Sequence, residues 1–568
     1  MIMEDDYISR LNDKQREAAL HLNGPALVLA GPGSGKTSVI TARAISLVKK
    51  HDVSPGRILT VTFSNAAAEE MRKRYIKVSG ENNIPVKEIP EYSTIHSFCY
   101  RTLKKNGALP QKIKVLSDGN IKQEMLRKIW KKINSPKEEN LTTEFLELIS
   151  NAISKMKCFS GSEKEEAIRK EIQIRNFGAV FTEYEHCKVR HGYIDFDDMI
   201  SLFAAHLAKN EVFCRKIVSM YDFIQIDEGQ DMSFSQIEIV KHIGSRGNVF
   251  MVADDDQGIY GFRGADVGAL NYFERSFKGC QRYYLEQNYR SVKSIVKVST
   301  GFISKNSERY NKKIFTLNED GLRVEILRTC DVYEQARFAA EIALETSAAG
   351  MTCGILYRRN ISAMLPLTAL YAEARRKGSI VAAGIAGGFN SPDKYEPVNY
   401  FIEKLKYEEQ KNRPIIKSPY AVYLDIEKSG KFKEFREMSA IRGVSDKDTE
   451  YILCFVTVLC KLFKSFSEID VFFNGIKLLD SEPSIFFSTV HSAKGLEYDC
   501  VVIIDASDDE FPKKTACEKS DIEEERRLFY VAMTRAKKKL YIVSPDKCGR
   551  IECMPGLFFR ETAEVLKA

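Results

Sequence analysis

The stretch ALVLAGPGSGKTSVI, residues 26–40, constrains the fold more than any other part of the chain. It reads as a buried strand, a glycine-rich turn and the start of a helix. The turn has the pattern of a phosphate-cradling P-loop, with Ala30 where that pattern carries its first glycine. The physics survives the change. Gly31, Gly33 and Gly35 let backbone N–H groups converge on phosphate oxygens, and the helix N-terminus adds its positive dipole end. Lys36 is placed to reach the outer phosphates and the Thr37 hydroxyl to ligate Mg²⁺.

A second apolar run, YDFIQI, ends in Asp227 and Glu228, with Gln230 and Asp231 just beyond. Adjacent carboxylates at the end of a buried strand repel each other unless a cation sits nearby. A nucleotide-bound Mg²⁺ answers this. Asp227 is expected to hold the metal through a water, and Glu228 to orient and deprotonate the attacking water.

At 568 residues the chain is too long for one core, so several domains are expected. The net charge of +7 is compatible with a polyanion partner but does not demand one. Thirteen cysteines without a C-x-x-C pair fit reduced thiols in a cytoplasmic protein better than a disulfide framework. The acidic N-terminus is not that of a signal peptide, no run of apolar residues is expected to span a membrane, and no internal repeat is evident.

An ordered series of motifs then gives a family resemblance. LNDKQREAA (11–19), TVTFSNAAAEEMRKR (60–74), STIHSF (93–98), DEGQD (227–231), VADDDQGIYGFRGA (252–265), LEQNYRS (285–291), LYRRN (356–360), STVHSAKGLEYDCVVI (488–503) and EEERRLFYVAMTRAKKKLYI (523–542) follow one another. Together they resemble the UvrD/Rep/PcrA group of superfamily 1 DNA helicases. The resemblance implies an α/β fold of two RecA-like parallel-sheet lobes, each with a mainly helical insertion. It also implies ATP as substrate. Gly33, Ser34, Gly35, Lys36, Thr37 and Ser38 would cradle the phosphates, Gln15 would read the adenine edge, and Tyr289 would stack on the adenine. Arg290 and Arg535 would touch the γ-phosphate, Gln257 would sense it, Glu497 would hold a ribose hydroxyl, and Gly495 would approach the nucleotide with its backbone. Single-stranded DNA would stack on Phe63 and Phe262, with Asn65 beside the first and Tyr260 and Arg263 flanking the second; Tyr260 fits core packing as well as stacking. Thr94, His96, Arg358, Asn360, His491 and Lys494 would contact its phosphates.

Departures from the family pattern are Gly229 for an aromatic, Ala66 for a lysine, Phe262 for a tryptophan, and Ala253 and Gly258 for glycine and serine. None removes a metal ligand, a phosphate contact or the water-activating group, so an active ATPase is expected. The first lobe is expected over residues 1–100 and 192–282, with an insertion at 101–191 that holds the only tryptophan, Trp130. The second is expected over 283–365 and 481–568, with Tyr289 in it and a reduced insertion at 366–480. Within that insertion AIRGVSDKDTEYI (440–452) resembles a duplex-binding turn of the family. The function implied is an ATP-dependent helicase moving 3′ to 5′ on single-stranded DNA and acting at junctions with duplex. Two alternatives share the motifs: a translocase that relies on a protein partner to make up for the small insertion, and an ATP-gated DNA-binding switch within a repair or defence complex.

Overall fold

The computed structural model describes residues 7–82, 88–134, 141, 143–158, 166, 170, 172–261, 268–321, 324–377, 383–386, 395–411, 418–441, 444–475 and 483–567. The chain divides into two compact units, Met1–Tyr289 with Glu308–Ile314, and Arg290–Ser307 with Phe315–Ala568.

The first unit is built on β1 (Ala26–Ala30), β2 (Ile58–Thr62), β3 (Glu91–Thr94), β4 (Phe223–Ile226), β5 (Val249–Ala253) and β6 (Gln281–Leu285). They pair in the order β3-β2-β4-β5-β1-β6, all parallel. Every residue of β1, β2, β4 and β5 is buried. That is why these strands read as continuous apolar runs: helices cover both faces of a parallel sheet. Leu27 and Leu29 of β1 point into one core with Phe98, Phe203 and Ile224, while Ala26, Val28 and Ala30 join Val39, Ile40 and Phe250 on the other face.

The boundaries differ from the sequence expectation. β6 joins the first sheet, and the first unit runs on to Tyr289, past the expected limit of 282. The helix Ile95–Lys105 straddles the expected 100/101 boundary, because Phe98, Cys99 and Leu103 pack in the core of the first sheet. The insertion begins after it, at a neck where Lys114–Val115 pairs with Tyr193–Ile194. Its helices Gly119–Ile133, Thr143–Cys158 and Phe177–His191 enclose their own core around Trp130, Leu146 and Tyr184. A buried ionic cluster ties them to the neck. Lys157 and Lys188 each lie within 3.0 Å of Glu185, Asp195 and Asp198.

The second unit carries β7 (Glu325–Thr329), β8 (Cys353–Tyr357), β9 (Ala383–Ala386), β10 (Ile485–Thr489), β11 (Tyr498–Ile503) and β12 (Ala536–Pro545). Their order is β7-β12-β11-β8-β10-β9, again all parallel. Because β9 belongs to this sheet and Leu367, Leu370 and Ala374 pack in its core, the second insertion starts after Ala386, not at 366. Its five described helices, from Glu396–Lys411 to Phe466–Gly475, share a core of Phe401, Phe435, Phe455 and Phe472. Arg359 pins this insertion to the sheet by pairing with both Asp448 and Glu510. Arg442 and Gly443 of the supposed duplex-binding turn lie outside the described residues; Ser445 caps the helix Asp446–Leu462 that follows.

Candidate functional site

In the first unit the loop after β1 is held by its carbonyl groups. Ser34 Oγ donates to Gly31 O at 2.8 Å, and Asn288 Nδ2 donates to Pro32 O at 2.8 Å. Tyr289 N donates to Gly33 O at 2.9 Å, and Gln15 Nε2 to Ser34 O at 2.8 Å. In a planar trans peptide the carbonyl and the following N–H point opposite ways. Pinning four successive carbonyls therefore turns the N–H groups of Gly33, Ser34 and Gly35 to the other side, as an anion cradle requires. Gly33 and Gly35 take left-handed φ values of 64° and 81°, and the helix Lys36–His51 starts at once.

Gln15 also braces the loop. Both ends of its amide are engaged, Oε1 accepting from Asn12 N at 3.0 Å and Nε2 donating to the loop. A Cβ on Gly35 would lie 2.7 Å from Nε2. Gln15 thus links the helix Asp13–Ala19 to the phosphate loop. Tyr289 sits in the first unit, not the second; it is 45% exposed, and its hydroxyl accepts from Asn12 Nδ2 at 2.6 Å.

β4 ends at Asp227, whose N–H donates to Val61 O at 2.8 Å and so extends the ladder. Glu228 then adopts a left-handed φ of 53°, a conformation that costs a non-glycine residue energy and is concentrated at functional sites. Gln230 bridges the strand ends: its Nε2 donates to Glu228 Oε2 at 2.5 Å and its Oε1 accepts from Asp254 N at 2.9 Å. Burial, and then the neighbouring Glu228, push the Asp227 carboxyl up to about 7, against the pull of Lys36. Asp227 Oδ1 is buried and accepts no hydrogen bond among the described residues. A buried carboxylate oxygen kept short of a partner beside a second carboxylate suits a hard divalent cation. Gly229 is explained by its neighbour: a Cβ there would lie 2.5 Å from Met251 Cγ, so Met251 fills the space an aromatic would need.

β5 ends in Asp254, Asp255 and Asp256, all buried. Lys36 Nζ lies 3.9 Å from Asp254 Oδ2, and Gln257 Nε2 donates to the same carboxylate. Sequence reasoning missed the counterions. Lys312 Nζ is 2.7, 2.6 and 3.2 Å from the three aspartates in turn, and Arg309 forms a two-pronged pair with Asp256 at 3.0 and 2.7 Å. The available signal was the Asp-Asp-Asp run itself, which cannot be buried without cations.

The same strand ends carry the candidate nucleic-acid residues. Phe63, 40% exposed, stacks on Tyr260 with ring centroids 4.6 Å apart. Both line a cavity of about 730 Å³ with Asn65, Thr94, His96, Asp227 and Glu228. His96 meets Phe196 edge-on. Phe262 and Arg263 lie outside the described residues.

In the second unit the sequence Ser-Thr-Val-His-Ser (488–492) repeats the Ser-Thr-Ile-His-Ser of 93–97. The local bonds repeat too. Thr94 Oγ1 donates to Ser97 Oγ at 2.9 Å and accepts from Ser97 N at 3.1 Å; Thr489 Oγ1 does the same with Ser492 at 3.0 and 3.3 Å. His491 and Lys494 follow β10. Arg358 follows β8 and is paired with Glu525 at 2.9 and 3.3 Å, so its guanidinium already has a carboxylate partner; Asn360 opens the short turn Asn360–Ala363.

Arg290, Gly495, Glu497 and Arg535 are brought together at the amino ends of β11 and β12. Arg290 Nε donates to Glu497 Oε2 at 2.8 Å, and Lys537 Nζ lies 2.7 Å from Glu497 Oε1. Burial works against the Glu497 charge, but Lys537 and Arg290 hold its carboxyl below the ordinary range. Gly495 has a left-handed φ of 88°. Arg535 is buried, donating to Val531 O at 2.9 Å and Leu496 O at 3.2 Å.

Two parallel sheets, one with a P-loop and paired carboxylates at its carboxyl ends, the other with clustered arginines, define a RecA-like nucleoside-triphosphatase architecture. The family model of the UvrD/REP helicase N-terminal domain matches residues 11–278, and that of the UvrD-like helicase C-terminal domain matches 283–374 and 393–547. The chain belongs to the UvrD/REP helicase family. It is similar to the ATP-dependent DNA helicase PcrA of Staphylococcus aureus strain Mu50, at 26% identity over 653 aligned positions, covering 98% of this chain and 87% of that protein. PcrA of Staphylococcus epidermidis strain ATCC 12228 is 27% identical over 657 positions, with the same coverage.

Proposed function

We propose that this protein is an ATP-dependent DNA helicase that moves 3′ to 5′ along single-stranded DNA and hydrolyses ATP in the first unit. What supports the reading is that β4, β5 and β1 end side by side with Asp227-Glu228, Asp254-Gln257 and the pinned phosphate loop. Thr37 and Asp227 would hold Mg²⁺, which when bound supplies positive charge to the triphosphate. Lys36 leaves Asp254 for the outer phosphates. Glu228, held by Gln230, orients water and takes its proton. Gln257, Arg290 and Arg535 attend the γ-phosphate, Tyr289 stacks on the adenine, and Glu497 holds the ribose. Phe63 and Tyr260 offer a stacking face to the bases, with Thr94, His96, His491 and Lys494 on the phosphates. Thirteen cysteines, none of them joined in a disulfide, fit a reducing cytoplasm.

A second reading, a translocase that depends on a protein partner, is favoured by one observation. The alignment with PcrA spans more positions than this chain has residues, so that relative carries residues this chain lacks. Measuring ATP turnover against added single-stranded DNA tests the shared core of both. Turnover is expected to rise with DNA and to vanish in Lys36→Ala. DNA-independent turnover would overturn it.

A further inference from the structure

The segment Glu308–Ile314 packs with the first unit, although the chain on both sides of it belongs to the second. It crosses the ends of three strands. Arg309 grips Asp256, and Tyr310 N donates to Asp255 Oδ2 at 2.8 Å after β5. Lys312 Nζ donates to Ala30 O, the last carbonyl of β1, at 3.2 Å. Lys313 N donates to Glu286 Oε1 at 2.6 Å just past β6. A Cβ on Gly31 would lie 2.5 Å from Ile314 Cδ1, so the loop glycine and this strap are fitted to each other.

The charges around Asp254 are closely paired. Three buried carboxylates face Lys312, Arg309 and Lys36. When a phosphate takes Lys36, Asp254 loses that cation. A buried carboxylate left without a counterion is costly, so Asp254 would compete with the nucleotide for Lys36. Lys312 would relieve the competition: its ammonium is fully buried 2.7 Å from Asp254 Oδ1 and would neutralise it when Lys36 turns to a phosphate. Burial opposes the charge on Lys312, yet the three carboxylates hold its pKa well above the ordinary lysine value. Asp254 also accepts from the Gln257 amide, so the carboxylate that Lys312 fixes in turn fixes the side chain facing the nucleotide.

We infer that Lys312 and Arg309 are positioning residues of the nucleotide site, and that their strap passes the state of Lys36 to the chain of the second unit. The inference rests on the nucleotide reading above. It adds a charge relay from Lys36 through Asp254 to a segment of the first unit whose flanking chain, on both sides, belongs to the second.

The test is equilibrium binding of a fluorescent non-hydrolysable ATP analogue to the full chain, with and without an oligothymidine strand. Lys312→Met should weaken analogue binding about tenfold or more, because Asp254 then retains Lys36. Arg309→Gln, less buried and milder, should shift it the same way and serves if Lys312→Met does not fold. Asp254→Asn should shift it the opposite way, freeing Lys36, while lowering kcat through the loosened Gln257. A merely structural role would weaken binding in all three alike. The factor by which DNA changes analogue affinity should fall toward one in the Lys312 or Arg309 variant. Wild-type affinity and DNA response in the folded variants, or shifts of one sign in all three, would overturn the inference. A wild-type chain that binds no analogue would instead remove the nucleotide reading itself.

Discussion

The two sheets use their strand ends differently. In the first, the phosphate loop, Asp227-Glu228, the triple aspartate, Phe63, Thr94 and Tyr260 all follow carboxyl ends of parallel strands, the usual binding edge of such a sheet. In the second, Glu497 and Arg535 stand at the amino ends of β11 and β12, while Arg358, His491 and Lys494 follow the carboxyl ends of β8 and β10. A strand of six residues such as β11 separates these two groups by about 20 Å at ~3.3 Å per residue. One sheet therefore crowds nucleotide and strand candidates together, and the other keeps them apart. The charges differ as well. The first edge is rich in carboxylates and suits a metal and an attacking water; the second offers arginines, which suit charge spreading over phosphate oxygens.

This contrast can be broken most forcefully at the first edge. Lys36→Ala and Glu228→Gln should each lower DNA-stimulated turnover by about 10³-fold. Titration with a nucleotide analogue should then separate them, with binding lost in the first and kept in the second. At the amino ends of the second sheet, Arg290→Ala should cost about 10²-fold in turnover while nucleotide-free DNA affinity stays within about twofold. Loss of DNA affinity in that variant would dissolve the separation of the two ends.

Smaller effects sharpen the comparison. Phe63→Ala should weaken single-strand binding by about 1–3 kcal/mol with little dependence on salt, as loss of a stacking face does. Lys494→Ala should weaken it less and reduce the salt slope by about one. Fluorescence anisotropy over a salt series distinguishes them. The smallest difference lies between the twin turns. Thr94 caps the helix Ile95–Lys105, whereas Thr489 bonds Ser492 in an irregular turn. Thr94→Val should cost about 1 kcal/mol in denaturant unfolding and Thr489→Val less.

Much of the site was legible because its residues lie next to one another in sequence. The phosphate loop and the Asp227-Glu228 pair each sit at the end of an apolar run, where their motifs can be read directly, and Gln257 was expected from the family resemblance. Lys312 and Arg309 were not legible, because a charge partner more than fifty residues away leaves no spacing to read. The bracing contact of Gln15 was not legible for a similar reason: its partner is a backbone carbonyl of the loop, invisible to side-chain patterns. β9, Ala-Gly-Ile-Ala, is too short and small to announce itself and becomes a strand only by pairing with β10, so the second insertion was expected to start too early. The twin turns escaped notice as a repeat because five residues carry too little sequence to stand out; their hydrogen bonds reveal it.

The account rests on nucleotide turnover at the first edge driving directed movement on a single strand. Strand displacement by the purified chain on duplexes with a 3′ or a 5′ single-stranded tail tests this most directly. The account predicts ATP-dependent displacement from the 3′-tailed duplex, little from the 5′-tailed one, and none from either with Glu228→Gln. Displacement that favours the 5′ tail, or that persists in Glu228→Gln, would contradict it.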